Sequence, residues 1–225
     1  MPLPLKIGPV ELGKRPRIIA VVDAFLPKPE LKRQFDQGAA IAEIRFDLLP
    51  GDPREALRYA KTVREAASFG ILGTLRETPA NTMLRYDLFR RFLPDVDAVD
   101  IEIDAPINRQ VISLSKGKTV IVSHHDFQKT PAETELFSMA ENARKQGAHI
   151  FKIAAMAKTP DDCTRLLGFI KKSPLPVIVI VMGELGKPAR TEALRLGSLA
   201  GYAFTGEAPV APGQLSVAEM AASLK

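Results

Sequence analysis

Short apolar runs rich in β-branched residues recur along the chain. Each is followed by a stretch whose apolar positions return every three or four residues. The pattern predicts strands over residues 17–22, 40–46, 71–76, 98–103, 119–125, 149–154, 177–182 and 201–204. It predicts helices over 29–37, 53–68, 85–93, 105–114, 132–146, 160–171, 187–196 and 215–224. Thr130-Pro131 and Thr159-Pro160 read as helix starts, with a capping residue ahead of a first-turn proline, and Gly147 and Gly197 sit where helices stop. Eight strand–helix units in one uninterrupted run point to an α/β fold, a (β/α)8 TIM barrel forming a single domain over residues 1–225. A short N-terminal hairpin at 3–12 would close its bottom. The alternative is an open doubly wound sheet, but the Gly-x-Gly-x-x-Gly turn that follows the first strand of such sheets is missing.

Composition narrows the setting. A chain of 225 residues, 46% of them hydrophobic, can bury a core without disulfides or structural metal. The single Cys163 excludes a disulfide framework and a cysteine zinc site, and fits a reducing, cytoplasmic compartment. The apolar run at 177–182 is far short of the ~20 residues of a membrane helix, and the proline-broken N-terminus carries no signal-peptide core. The net charge of +5 is dispersed apart from 14–17 and 171–172, and no nucleic-acid motif accompanies it. A small anionic substrate suits this balance better than nucleic acid or a membrane.

The placement of charge says more than its total. Glu43, Arg45 and Asp47 alternate with Ile44 and Phe46, so three charges share one strand face. In a barrel whose outer side is covered by helices, that face points inward, and barrel active sites lie at the C-terminal ends of the strands. The same period places Thr74 with Arg76, Asp100 with Glu102, and Ser123 with His125. Charges buried there are paired, functional or both. Lys152 stands among apolar neighbours in His-Ile-Phe-Lys-Ile-Ala-Ala. Such surroundings favour the uncharged amine that attacks a ketone or aldehyde to form a Schiff base. The other reading of Lys152 is a side chain snorkelling to the strand end. In Ser-His-His-Asp-Phe, alternation turns His125 inward as a general acid or base, and leaves His124, like His149, structural. No ligand spacing for a metal is present. Arg190, in the Met-Gly-Glu-Leu-Gly-Lys-Pro-Ala-Arg segment, is placed to grip a carboxylate, and loops containing Gly and Pro could close over it.

Together these segments resemble the type I 3-dehydroquinate dehydratases, the Schiff-base dehydratases of the shikimate pathway. The resemblance rests on Glu-x-Arg-x-Asp at 43–47, Arg76, His-Asp-Phe at 125–127, and Phe-Lys-Ile-Ala at 151–154. It continues through Met-Gly-x-x-Gly-x-x-x-Arg at 182–190 and Ala-Pro-Gly-Gln at 211–214. It implies a (β/α)8 barrel, commonly a homodimer, that uses neither metal nor organic cofactor. It further implies that Lys152 attacks the C3 ketone of 3-dehydroquinate, and that His125 removes a C2 proton and then protonates the departing C1 hydroxyl. Glu43, Arg45 and Arg76 would contact ring hydroxyls, while Arg190 and Gln214 would bind the carboxylate side. The chain departs from the family at Ala80, where a glutamate is usual, and at Val210 and Ala189, where serine is common. A class I aldolase-like enzyme also using Lys152 is a second reading, and a degenerate relative that binds a carboxylate metabolite without turnover is a third.

Overall fold

The structure, a computed structural model, describes residues 5–51, 53–206 and 208–225; the first two residues of the hairpin expected at 3–12 lie outside them. The chain begins with β1 (Lys6–Ile7) and β2 (Val10–Glu11), an antiparallel pair. Strands and helices then alternate: β3 (Arg17–Val22), α1 (Lys28–Asp36), β4 (Ala39–Arg45), α2 (Pro53–Ala66), β5 (Gly70–Thr74), α3 (Arg85–Phe92), β6 (Ala98–Glu102) and α4 (Asn108–Leu114). They continue as β7 (Thr119–Asp126), α5 (Glu133–Gln146), β8 (Ile150–Met156), α6 (Pro160–Lys172), β9 (Val177–Met182), α7 (Gly186–Leu196), β10 (Ala200–Phe204), β11 (Leu215–Ser216) and α8 (Val217–Ser223).

The sheet order is β11-β10-β3-β4-β5-β6-β7-β8-β9, with every neighbouring pair parallel. The sheet curls until β10 lies beside β9, where the Leu199 N–H donates to the Val177 carbonyl at 3.0 Å. This is the expected (β/α)8 barrel. Two apolar layers hold it. Outward-facing strand residues such as Val99, Val122, Phe151 and Val179 pack under the helices with Leu31, Phe89, Leu136 and Phe169. Ile19, Ile41, Leu72, Ile121, Ile150 and Ile178 point into the barrel. The N-terminal hairpin seals the floor: Ile7, Val10 and Leu12 join that inner cluster, and Thr119 Oγ1 donates to the Lys6 carbonyl at 2.6 Å.

Local chemistry explains where elements differ from the sequence pattern. Helix α6 starts as expected, with Thr159 Oγ1 accepting from the Asp162 N–H and Asp162 Oδ2 accepting from the Thr159 N–H. Gly147 and Gly197 end α5 and α7 in the left-handed conformation, with φ of 101° and 112°. Thr130 does not cap α5; its hydroxyl donates to the Met156 carbonyl, and the helix starts after Ala132, whose N–H is held by Glu135. Helix α4 begins at Asn108 rather than 105, because Pro106 disfavours helical backbone at the residue before it. The helix expected at 215–224 begins two residues later. Leu215 and Ser216 first pair with Ala203 and Phe204, and Ser216 then caps α8 by accepting from the Glu219 N–H.

Two glycines give a test of this packing. A Cβ at Gly70 would collide with the Ile7 carbonyl of the floor hairpin, whereas a Cβ at Gly168, inside α6, meets nothing within 4 Å. Gly70→Ala is expected to lower stability by about 1–3 kcal/mol, and Gly168→Ala to raise it by about 0.5–1 kcal/mol. Urea unfolding of both variants checks this; a neutral Gly70→Ala would contradict the seated hairpin.

Candidate active site

On four of the strands the inward side chains change from apolar at the floor to polar or charged above it. On β4 they run Ile41, Glu43, Arg45; on β6, Ala98, Asp100, Glu102; on β7, Ile121, Ser123, His125; on β8, Ile150, Lys152, Ala154. The parallel register brings these levels side by side, pairing Thr74 with Asp100, Glu102 with Ser123, and Ser123 with Lys152. The charged level opens into a cavity of about 380 Å³ at the C-terminal ends of the strands. Glu43, Arg45, Arg76, His125, Lys152, Arg190 and Gln214 all line it.

Asp100 is the centre of this level. Its carboxylate is fully buried, with Oδ2 3.0 Å from Lys152 Nζ and Oδ1 accepting from the Ser123 hydroxyl at 2.6 Å. Arg76 Nη2 lies 3.2 Å from the same Oδ1. Burial opposes ionisation, but Arg76 and Lys152, helped by the Ser123 hydroxyl, outweigh it and hold the Asp100 carboxyl well below the usual range. Lys152 is 3% exposed, and its nitrogen lies 4.1 Å from the centroid of the Tyr202 ring. The apolar neighbours in its own strand are thus only part of its surroundings, since the nearest charge is the Asp100 carboxylate from another strand. Arg76 also contacts Glu102, which in turn pairs with the fully buried Arg85. Burial works against the Arg76 charge, while Asp100, Glu102 and Glu43 together raise its pKa above the ordinary value.

His125 is turned inward, as alternation predicted. Its Nε2 lies 3.2 Å from Arg76 Nη2. A guanidinium only donates, so this nitrogen accepts, and the ring is neutral with its proton on Nδ1. The surroundings act the same way: burial, then the charges of Arg76 and Lys152, push the His125 pKa well below its ordinary value against the pull of Asp100. His124 is half-buried outside the cavity, 3.8 Å from Asp104, and His149 accepts the Val120 N–H on its Nδ1.

The upper rim is built from three more elements. Glu43 is buried and accepts from the Thr74 hydroxyl at 2.8 Å, and Arg45 is held by both oxygens of Asp47. Arg190 lies inside α7, within the helix expected at 187–196, and is 5% exposed. Its Nη2 donates to the Pro212 carbonyl, while its Nε has no partner among the described residues. Burial with no compensating carboxylate pushes the guanidinium down to about 10. Gln214 Oε1 accepts from the Val210 N–H, tying off the loop that carries Ala-Pro-Gly-Gln. At Gly213 (φ 72°) a Cβ would come 2.7 Å from the Gly183 carbonyl, so only glycine lets this loop sit on the turn after β9. Val210 is 38% exposed at the cavity rim, Ala80 is exposed, and Ala189 is buried in α7.

The sequence pattern therefore brought every candidate residue to one cavity. It missed Tyr202, which lies on an apolar strand with no polar neighbour to mark it. It also left Asp100 as a strand-face charge without revealing that it joins Lys152, Arg76 and Ser123.

Comparison with known proteins agrees with this geometry. Residues 27–225 match the family described as type I 3-dehydroquinase. The 3-dehydroquinate dehydratase of Methanococcoides burtonii is 34% identical over 227 residues, covering 96% of each chain. The crystal structure of 3-dehydroquinate dehydratase from Geobacillus kaustophilus shares the fold, with a TM-score of 0.84 and 24% identity over 99% of this chain and 95% of that one. That of the type I enzyme from Clostridium difficile, described with covalently modified comenic acid, superposes with a TM-score of 0.81 and 25% identity over 98% and 96%. By the match over residues 27–225 and by these relatives, the chain belongs to the type I 3-dehydroquinase family.

Proposed function

We propose that this chain dehydrates 3-dehydroquinate to 3-dehydroshikimate through an imine on Lys152, with His125 moving the protons. The observation that carries the reading is the content of one cavity: a buried amine, a neutral imidazole, and an arginine whose Nε lacks a partner. The Lys152 nitrogen adds to the C3 ketone, water leaves, and the resulting iminium draws electrons from the neighbouring C2–H bond. His125, uncharged at rest, accepts that proton and returns it to the C1 hydroxyl, which departs as water. A further water hydrolyses the imine and frees Lys152. The iminium is itself the electron sink, so the reaction asks for no metal or organic cofactor.

Arg190 supplies the anion site. Its Nε and its buried charge suit the substrate carboxylate, and its Nη2 bond to the Pro212 carbonyl couples that site to the 205–214 loop. Gln214 adds a second polar group on this side, while Glu43, Arg45 and Arg76 face the ring hydroxyls. The reading extends to a single catalytic domain over residues 1–225 that works as a cytoplasmic homodimer on a small anionic substrate, without nucleic acid or membrane. The family resemblance supports the dimer, and the unpaired Cys163 fits the compartment.

Borohydride added during turnover is expected to leave a reduced adduct on Lys152, located by mass spectrometry; folded protein with neither adduct nor enone absorbance would refute the reading. Lys152→Ala should remove the adduct and cut kcat by at least about 10³-fold, and His125→Ala should cut kcat by roughly 10²–10⁴-fold. Arg190→Met should raise KM by about 10–100-fold with a smaller effect on kcat, because it removes a charge-assisted contact made with bound substrate. The sign of the pH dependence follows from His125. Its pKa is depressed, so its base form persists as pH falls below 6.5 and is lost only when pH passes its lower folded value. The acid limb of kcat/KM assigned to His125 is therefore expected well below pH 6.5, and a limb at 6.5 or above would contradict the neutral imidazole.

A further inference from the structure

Tyr202 enters the cavity from β10, on the far side of β9 from Lys152. It is 5% exposed, and its hydroxyl is buried with no hydrogen-bond partner among the described residues. The Lys152 nitrogen sits 4.1 Å from its ring centroid. Burial, then the carboxylates of Glu43 and Asp100, push the phenol well above its ordinary pKa, so the group is a neutral donor. A buried hydroxyl without a partner is costly unless something that enters the site takes up the bond.

We propose that Tyr202 is a catalytic residue, its ring face carrying the positive charge of the Lys152 nitrogen at the iminium stages and its hydroxyl donating to an oxygen of bound substrate. The proposal rests on the reading that Lys152 forms the imine. As an ammonium, Lys152 has three N–H donors, and as an iminium it has one. When the C–N bond forms and the ketone oxygen leaves as water with two protons, two donors disappear while the positive charge stays. Asp100 can take the remaining N–H. The ring needs no donor, because the negative face of its quadrupole attracts the cation whatever hydrogens it carries. The charge vanishes when the C2 proton goes to His125 and the enamine forms. It returns when the C1 hydroxyl leaves and the conjugated iminium appears. A face that favours cationic nitrogen thus holds ammonium and iminium alike, and assists hydroxyl departure, the step at which the charge returns. A carboxylate alone would hold the free ammonium, with its extra donors, more strongly than the iminium. The same ring shares the cavity lining with Glu43, Arg45 and Arg76, the groups proposed to face the substrate's ring hydroxyls.

The test replaces the ring by degrees. Tyr202→Phe keeps the ring and removes the hydroxyl; it is expected to hold kcat within about threefold and raise KM about 5–10-fold. An unchanged KM would overturn the hydroxyl contact. Phenylalanine analogues bearing one, two and three fluorines at position 202 drain the quadrupole with little change in shape. Across that series log kcat is expected to fall steadily with fluorine number, reaching about 10–30-fold, and Tyr202→Leu should fall at least as far. A flat kcat across the fluorinated series, with the wild-type protein still trapping its borohydride adduct on Lys152, would overturn the role of the ring alone. Wild-type protein that traps no adduct would remove the imine reading and this proposal together. A merely structural tyrosine would alter thermal stability without following fluorine number.

Discussion

A single buried carboxylate organises the mouth of this barrel. Asp100 has no exposed side-chain surface, yet it is ionised, because Lys152, Arg76 and the Ser123 hydroxyl converge on its two oxygens from three neighbouring segments. Stripping one partner from a buried pair of this kind costs about 3–5 kcal/mol, so the arrangement holds Lys152 and Arg76 in fixed positions. His125 is fixed in turn. Arg76 donates to its Nε2, and the positive charges beside it keep the ring neutral. Lys152 and His125 are thus positioned through one anion that itself touches no solvent.

The remaining charges follow the same logic outward. Arg45 is matched by Asp47, and Arg76 by Asp100 and Glu102. Arg190 departs from it: its nearest polar partner is a backbone carbonyl of the loop at 205–214. A protein that neutralises its buried cations so consistently, and leaves this one facing a cavity, has a natural place for an external anion. The same guanidinium anchors the loop at the Pro212 carbonyl, so an anion bound there and the position of the loop would be linked through one side chain. The glycine contact between Gly213 and Gly183 gives the loop its seat.

Much of this was legible in the sequence because strands write their two faces as a period of two. Ile41-Glu43-Arg45 and Ile121-Ser123-His125 show both which side faces in and where apolar packing yields to charge. Helix boundaries were legible where capping chemistry was strong, as at Thr159, and misplaced where a hydroxyl found another partner, as at Thr130. What the sequence could not reveal was adjacency across strands. Asp100 and Lys152 are 52 positions apart and meet only because β7 lies between their strands and holds both in register. Tyr202 was invisible for a different reason. In Ala-Gly-Tyr-Ala-Phe an aromatic residue reads as packing, and nothing local announces that its ring will lie under an amine from two strands away.

The hairpin beneath the barrel bears on traffic. With Ile7, Val10 and Leu12 packed into the inner cluster and Thr119 bonded to Lys6, the described residues close the floor, and the cavity opens at the mouth. On the proposed imine route water is released twice and consumed once, so three water movements and two organic molecules would share one doorway. Each turnover is then a queue: the first water must clear before the substrate is locked as an iminium, and the last must enter past bound product. The segment carrying Pro212 and Gln214 stands at that doorway, so each of those passages on the proposed route would go by it.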